Sequence, residues 1–283
     1  MIITTLVENT SPSDRKDLTA EKGLSLHIRC ENRDILFDVG VKSAVSSNAR
    51  KLGVDLPSVD LLVISHHHFD HGGGLSIFLK ENSKAPVYLR SRRGEAYYFG
   101  IPGLSKKYVG LDDRLFDEYS SRFKFVDQFC EISPGVFILT EIGDSYPRPK
   151  GNRLLFSKKD NSWNLDTFDH ELILVIKEND RLVVFTGCSH RSILNMVDAV
   201  NKKFPGIPIK AVIGGFHQIL LPMFDWMAAS KPDVEELGRT ILEYPIEMAY
   251  TGHCTGQKAY RIMKRVMGDK LAYLPTGSVI EIR

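Results

Sequence analysis

The sequence predicts an α+β fold in which two sheets are flanked by helices, and three observations carry that expectation. Short runs rich in β-branched and aromatic residues recur from M-I-I-T-T-L-V at the start to G-S-V-I-E-I-R at the end. Segments with helical spacing fall mostly between the later runs. No internal repeat or low-complexity linker interrupts the 283 residues, so one domain over 1–283 is expected.

The elements follow in order. Residues 1–7 are β-branched and read as a strand, with a polar loop over 8–22. After Gly23, L-S-L-H-I-R-C alternates in the manner of a half-exposed strand, which puts His27 on the exposed side. R-D-I-L-F-D-V-G closes the next strand at Asp38. A helix is expected over 41–52, a short buried strand at D-L-L-V-I-S, a helix over 75–80 and a strand at A-P-V-Y-L-R. Residues 91–122 are rich in Gly, Tyr and basic side chains without a clean period, and a lid or substrate-loop insertion is expected there. Strands return at F-K-F-V, G-V-F-I-L-T, R-L-L-F, E-L-I-L-V-I-K and R-L-V-V-F-T. A helix over 191–203, the strand I-K-A-V-I-G-G-F-H, a helix over 232–244, the strand of M-A-Y-T-G-H-C-T-G and a helix over 257–266 lead to the last strand.

Hydrophobic residues at 43% and charged residues at 25% are ordinary for a globular protein and supply a sizeable core. A net charge of +2 argues against a nucleic-acid or anionic-membrane partner. Four cysteines without a C-x-x-C pair do not make a disulfide scaffold, and the N-terminus lacks a signal-peptide pattern. A cytoplasmic protein is expected.

The densest chemistry lies in S-H-H-H-F-D-H-G-G-G, residues 65–74, which holds four of the nine histidines directly after an apolar run. Only one register fits H-x-H-x-D-H: His66, His68, Asp70 and His71. At a strand end, alternate residues point the same way, so His66 and His68 can converge on one ion. Asp70 and His71 fall where the backbone turns and can face a second. Three glycines allow close backbone approach. Imidazole with carboxylate suits zinc, iron or manganese. Two ions a few ångströms apart make a clamp able to activate a shared water. Three further histidines, His190, His217 and His253, each sit just past an apolar run with glycine nearby. His170 precedes a strand and reads either way.

The chain resembles the metallo-β-lactamase superfamily, whose signature is H-x-H-x-D-H, over nearly its whole length. Within it, G-L-S-L-H-I, I-L-F-D-V-G, T-G-C-S-H-R-S-I-L-N, G-G-F-H and G-H-C-T-G are similar to the 7,8-dihydropterin-6-methyl-4-(β-D-ribofuranosyl)aminobenzene 5′-phosphate synthase-like branch. The resemblance implies an αββα sandwich with two mixed sheets and two divalent transition-metal ions, zinc first, iron or manganese next. By motif match His66 and His68 hold one ion, and Asp70 and His71 the other. His190 and His253 complete the sets. Cys188 falls where the superfamily places an Asp or Cys, and is either a ligand or a buried structural thiol. Asp38 is expected to orient a ligand histidine or to be a turn residue. His217, together with Asp70, is the candidate catalytic side chain, as donor to a phosphate or a developing oxyanion.

Arg92, Arg93, Tyr97 and Lys106 combine cations with aromatic faces, which suits a phosphorylated pterin- or nucleotide-like small molecule. The apolar run over 219–227 reads as a pocket wall or a homodimer contact. The expected activity is metal-dependent hydrolysis of such a substrate. The alternatives are an iron-dependent redox protein of the same fold and the pterin synthase itself, a transferase.

Overall fold

The computed structural model describes residues 1–91, 94–101, 104–221 and 225–283. These fall into two compact units: residues 1–91, 109–126 and 274–283 form the first, and residues 92–108 and 127–273 the second. Each is built around its own seven-stranded mixed sheet.

In the first unit the strand order is Val279–Glu281, Ile2–Val7, Ser25–Cys30, Arg33–Phe37, Leu61–Val63, Val87–Leu89, Phe123–Phe125. The first four pair antiparallel and the rest parallel. Parallel strands need long crossovers, and helices Ala44–Leu52 and Leu75–Glu81 lie in two of them. Both helices turn apolar stripes inward, Ala44, Val45 and Ala49 from one and Leu75, Phe78 and Leu79 from the other. The strand Leu61–Val63, wholly buried, therefore reads as an unbroken apolar run. The chain closes on itself here. Val279–Glu281 zips onto Ile2–Val7, and the Met1 amino group donates to the Ile282 carbonyl.

His27 departs from the alternation that put it at the surface. It is 4% exposed, because its strand lies inside the sheet and only Arg29 emerges. Its Nε2 stands 2.9 Å from Asp34.

In the second unit the order is Leu271–Tyr273, Ile246–Thr251, Ile209–Gly214, Arg181–Thr186, Ile173–Glu178, Val136–Leu139, Cys130–Ser133. Arg181–Thr186, Ile209–Gly214 and Ile246–Thr251 are parallel neighbours, so their C-terminal ends share one sheet edge. Helices Ile193–Lys203, Lys231–Glu243 and Gln257–Met267 pack on this sheet through one apolar cluster. Lys231–Glu243 opens on a capping box between Ser230 and Asp233, with Pro232 in its first turn.

The segment 91–122, expected as a loop, contains strands Ala96–Gly100 and Lys106–Tyr108 and the short helix Arg114–Glu118. The two strands join Leu155–Lys159 and Ser162–Leu165 in a four-stranded sheet. Their pairing partner lies far along the chain, and the aromatic residues serve it: the Tyr98 ring meets Trp163 at 4.7 Å and Tyr108 at 5.5 Å. Ile219–Leu221 and Trp226–Met227 likewise pair in a small hairpin. Among the described residues no helix is long and apolar enough to cross a membrane.

Candidate metal centre

The loop after Leu61–Val63 is held from below by Asp38. This residue is fully buried and adopts φ 59°, a left-handed backbone that Asp tolerates better than most residues. Its Oδ1 accepts the Ser65 amide at 2.7 Å, and its Oδ2 accepts the Ser65 hydroxyl at 2.7 Å. The same Oδ2 lies 2.6 Å from His71 Nδ1. An ionised carboxylate can only accept, so His71 Nδ1 carries its proton here and Nε2 keeps the lone pair. The hydroxyl proton of Ser65 is spent on Asp38. Its oxygen therefore accepts from His66 Nδ1 at 2.9 Å, and His66 Nε2 keeps a lone pair too.

His66 Nε2 lies 3.1 Å from His68 Nδ1. Two imidazole nitrogens bound to one tetrahedral ion at about 2.0–2.1 Å would stand about 3.4 Å apart, so this pair fits a shared ion with little movement. Asp70 Oδ2 reaches to 3.9 Å of His71 Nε2, a second pair of converging donors. His67, the spacer, turns away and bonds the Arg90 carbonyl at 2.9 Å.

Backbone bonds pin the loop: the Leu24 amide donates to the Asp70 carbonyl at 3.1 Å, the Val39 amide to that of His71 at 2.7 Å, and the Gly74 amide to that of Gly40 at 3.1 Å. A Cβ at Gly73 would strike the carbonyls of Phe69 and Val41, and one at Gly74 the carbonyl of Val39. The glycines are required by contact.

In the second unit each of three adjacent strand ends delivers a histidine. Cys188 and His190 follow Arg181–Thr186, His217 follows Ile209–Gly214, and His253 follows Ile246–Thr251. Donor atoms of Cys188, His190 and His217 all lie within 4.8 Å of one another. The loops are laced together: Ser189 Oγ donates to the Gly215 carbonyl at 2.7 Å, and the Phe216 amide donates to Thr255 Oγ1 at 2.8 Å. Ser189, His217 and His253 adopt φ of 60°, 45° and 50°. Left-handed backbone at non-glycine residues costs energy and gathers where side-chain direction is dictated.

The His190 ring stacks on Phe168 at 4.2 Å with 9° between planes, and tilts against His217 at 4.1 Å. Glu171, wholly buried, accepts the His190 amide at 2.8 Å and the Arg191 amide at 2.9 Å. Burial pushes its carboxyl up to about 7, and the two amides pull the other way. Both ring nitrogens of His217 are buried without a hydrogen-bond partner. Such a group is expensive unless something else occupies its lone pair or proton, and an ion or anion would. Burial alone would raise the Cys254 thiol, but Cys188 and the His217 and His253 imidazoles outweigh it and hold the thiol well below its ordinary range. The donor set of nitrogen, carboxylate and thiol suits a borderline divalent ion.

The other candidates are placed as follows. Tyr97 is buried, its ring 4.1 Å from that of His170, whose Nε2 lies 3.1 Å from Asp166. The Lys106 ammonium lies over the Trp163 ring at 4.5 Å and the Phe156 ring at 4.9 Å. Arg92 and Arg93 lie outside the described residues. Asn152, Phe168, Glu171 and Ser65 were not foreseen. Glu171 leaves a trace in the sequence as a carboxylate opening the apolar strand E-L-I-L-V-I-K, and Ser65 opens the stretch S-H-H-H-F-D-H-G-G-G.

A family model described as the metallo-beta-lactamase superfamily matches residues 19–149. A crystal structure described as a metal-dependent hydrolase of the β-lactamase superfamily is 30% identical, with TM-score 0.81, covering 100% of this chain and 99% of that one. The chain belongs to the metallo-β-lactamase superfamily and has its α+β fold. It is similar to the 7,8-dihydropterin-6-methyl-4-(β-D-ribofuranosyl)-aminobenzene-5'-phosphate synthase of Methanocaldococcus jannaschii, with 27% identity over 277 residues, 93% of this chain and 90% of the relative. The zinc-bound PqqB of Methylobacterium extorquens shares the fold at 10% identity and TM-score 0.60.

Proposed function

We propose that the chain is a metal-dependent enzyme that binds two divalent ions, zinc first among them, and acts on a phosphorylated small molecule. His66, His68, Asp70, His71, His190 and His253 are the proposed ligands, with Cys188 as a further thiolate donor. The observation that carries the reading is the pair His66 Nε2 and His68 Nδ1, 3.1 Å apart, beside a His71 whose Nδ1 is committed to Asp38. When bound, such ions polarise a phosphoryl oxygen and acidify a shared water. The chain's own part is to hold the rings still, to offer Asp70 as a proton acceptor and to present His217 as a donor to a developing oxyanion.

The relative from Methanocaldococcus jannaschii favours a second reading, a synthase acting on a phosphoribosylated pterin partner. Both readings share the metal requirement and part at the reaction. Elemental mass spectrometry on protein purified without a metal-affinity column tests the first. About two ions per chain, falling in His68→Ala and Asp70→Ala, is the expected result for a two-ion clamp. No metal, and no uptake of added zinc, iron or manganese, would overturn both readings. A panel of phosphoesters and reduced pterins, assayed on the loaded enzyme, then separates hydrolase from synthase.

A further inference from the structure

Asn152 sits in the short turn Lys150–Leu154 and reaches His190 with both ends of its amide. Its Nδ2 lies 2.7 Å from the His190 carbonyl oxygen, and its Oδ1 lies 3.0 Å from His190 Nδ1. The orientation of the amide is fixed by chemistry. A backbone carbonyl can only accept, so the atom facing it must be the NH2 group. The opposite atom is then the carbonyl oxygen, which also only accepts. His190 Nδ1 must therefore be the donor, and in the neutral ring the lone pair is on Nε2. Phe168, parallel to the ring, fixes its plane, and Glu171 grips the backbone amides of 190 and 191.

We infer that Asn152 is a positioning residue that locks His190 in its Nδ1–H tautomer and so presents the Nε2 lone pair as a metal ligand. The tautomer follows from the geometry of Asn152 alone; its use toward an ion rests on the proposed function above. The arrangement parallels that of His71, where Asp38 holds Nδ1 in the same way, with one difference. A neutral amide fixes the tautomer without placing a charge beside the ring. Ligand histidines are commonly oriented through the ring nitrogen that does not bind.

The test uses the full chain, labelled with 15N-histidine and stripped of metal, in long-range proton–nitrogen spectra at about pH 8, above the ordinary histidine range. His190→Gln identifies the His190 signals by their loss. The expected wild-type result is His190 as a single Nδ1–H tautomer. Asn152→Ala should shift it toward the Nε2–H form, while Asn152→Asp, which keeps an acceptor oxygen, should retain Nδ1–H. A merely structural asparagine would not separate these two variants. Zinc affinity, titrated calorimetrically, should fall by about 10–100-fold in Asn152→Ala. A wild-type His190 in the Nε2–H form overturns the inference, and this readout needs no variant to fold. An unchanged tautomer in Asn152→Ala overturns it as well. A tautomer that behaves as expected while zinc affinity in Asn152→Ala matches wild type overturns the use of Nε2 toward the ion and counts against His190 in the proposed ligand set.

Discussion

The loop over 65–74 and the strand ends at 188–190, 217 and 253 gather metal-type donors by different means. The loop carries four of them within six residues and holds them with Ser65, its own first residue, and with Asp38 at the end of the adjacent strand Arg33–Phe37. The second unit spends a whole strand and a connecting segment on each histidine, and brings them to one edge only because three parallel strands are neighbours. A crowded loop needs glycine and a buried carboxylate to keep like groups apart. A dispersed set needs strained backbone and cross-loop hydrogen bonds. The first is encoded by local sequence and the second by topology.

The largest expected effect tests whether the dispersed set contributes at all. His68→Ala and His190→Ala should each weaken zinc binding by more than the about 10–100-fold typical of a supporting residue. Calorimetric titration that finds His190→Ala indistinguishable from wild type would remove His190 from the ligand set and leave His253 and Cys188 as the dispersed donors still to be tested. Next come the supporting carboxylates. Asp38→Ala strands the Ser65 amide and hydroxyl and His71 Nδ1 in the interior, and should cost about 4 kcal/mol. Glu171→Gln keeps the shape but turns one acceptor into a donor facing an amide, and should cost about 2 kcal/mol. Equal losses in urea unfolding would erase the contrast between the two regions.

Gly74→Ala drives a Cβ into the Val39 carbonyl and should cost about 3 kcal/mol, because backbone must shift. Gly53, at φ 72° with nothing within 4 Å of its Cβ position, is the control, and Gly53→Ala should lose only about 1 kcal/mol. The smallest effect concerns His27. Burial lowers its pKa, and the nearby Asp34 only partly opposes this. The unfolded chain therefore takes up the proton first. The stability that neutral His27 contributes is complete above the ordinary histidine value and drains as pH falls through the folded one. His27→Gln should flatten that acid limb in pH-dependent denaturation; an unchanged limb would assign it to other groups.

Much of this molecule could be read from residue order. The H-x-H-x-D-H register, the strands that end in glycine and histidine, and the helix opened at Pro232 were all visible because each signal is local. The sheet formed by Ala96–Gly100 and Leu155–Lys159 was not, because A-Y-Y-F-G takes its pattern from a partner more than fifty residues away. His27 misled for a related reason: alternation marks a half-buried strand only when one face stays in water. Asn152 gave no signal, since an asparagine in a polar turn reads as a turn residue until its partner is known. Asp38 was legible as a strand-end acid, but its left-handed φ, which aims the carboxylate at His71, was not.

The strand Val279–Glu281 has a consequence in time. Residues 1–91 of the first unit leave a ribosome well before residues 274–283, yet the later segment supplies one edge of the same sheet. Until residues 274–283 arrive, Ile2–Val7 presents an open row of amides and carbonyls, the kind of edge that recruits foreign strands. The sheet of the first unit is therefore closed only after Val279–Glu281 is made, and a chain interrupted before residue 274 would leave Ile2–Val7 exposed.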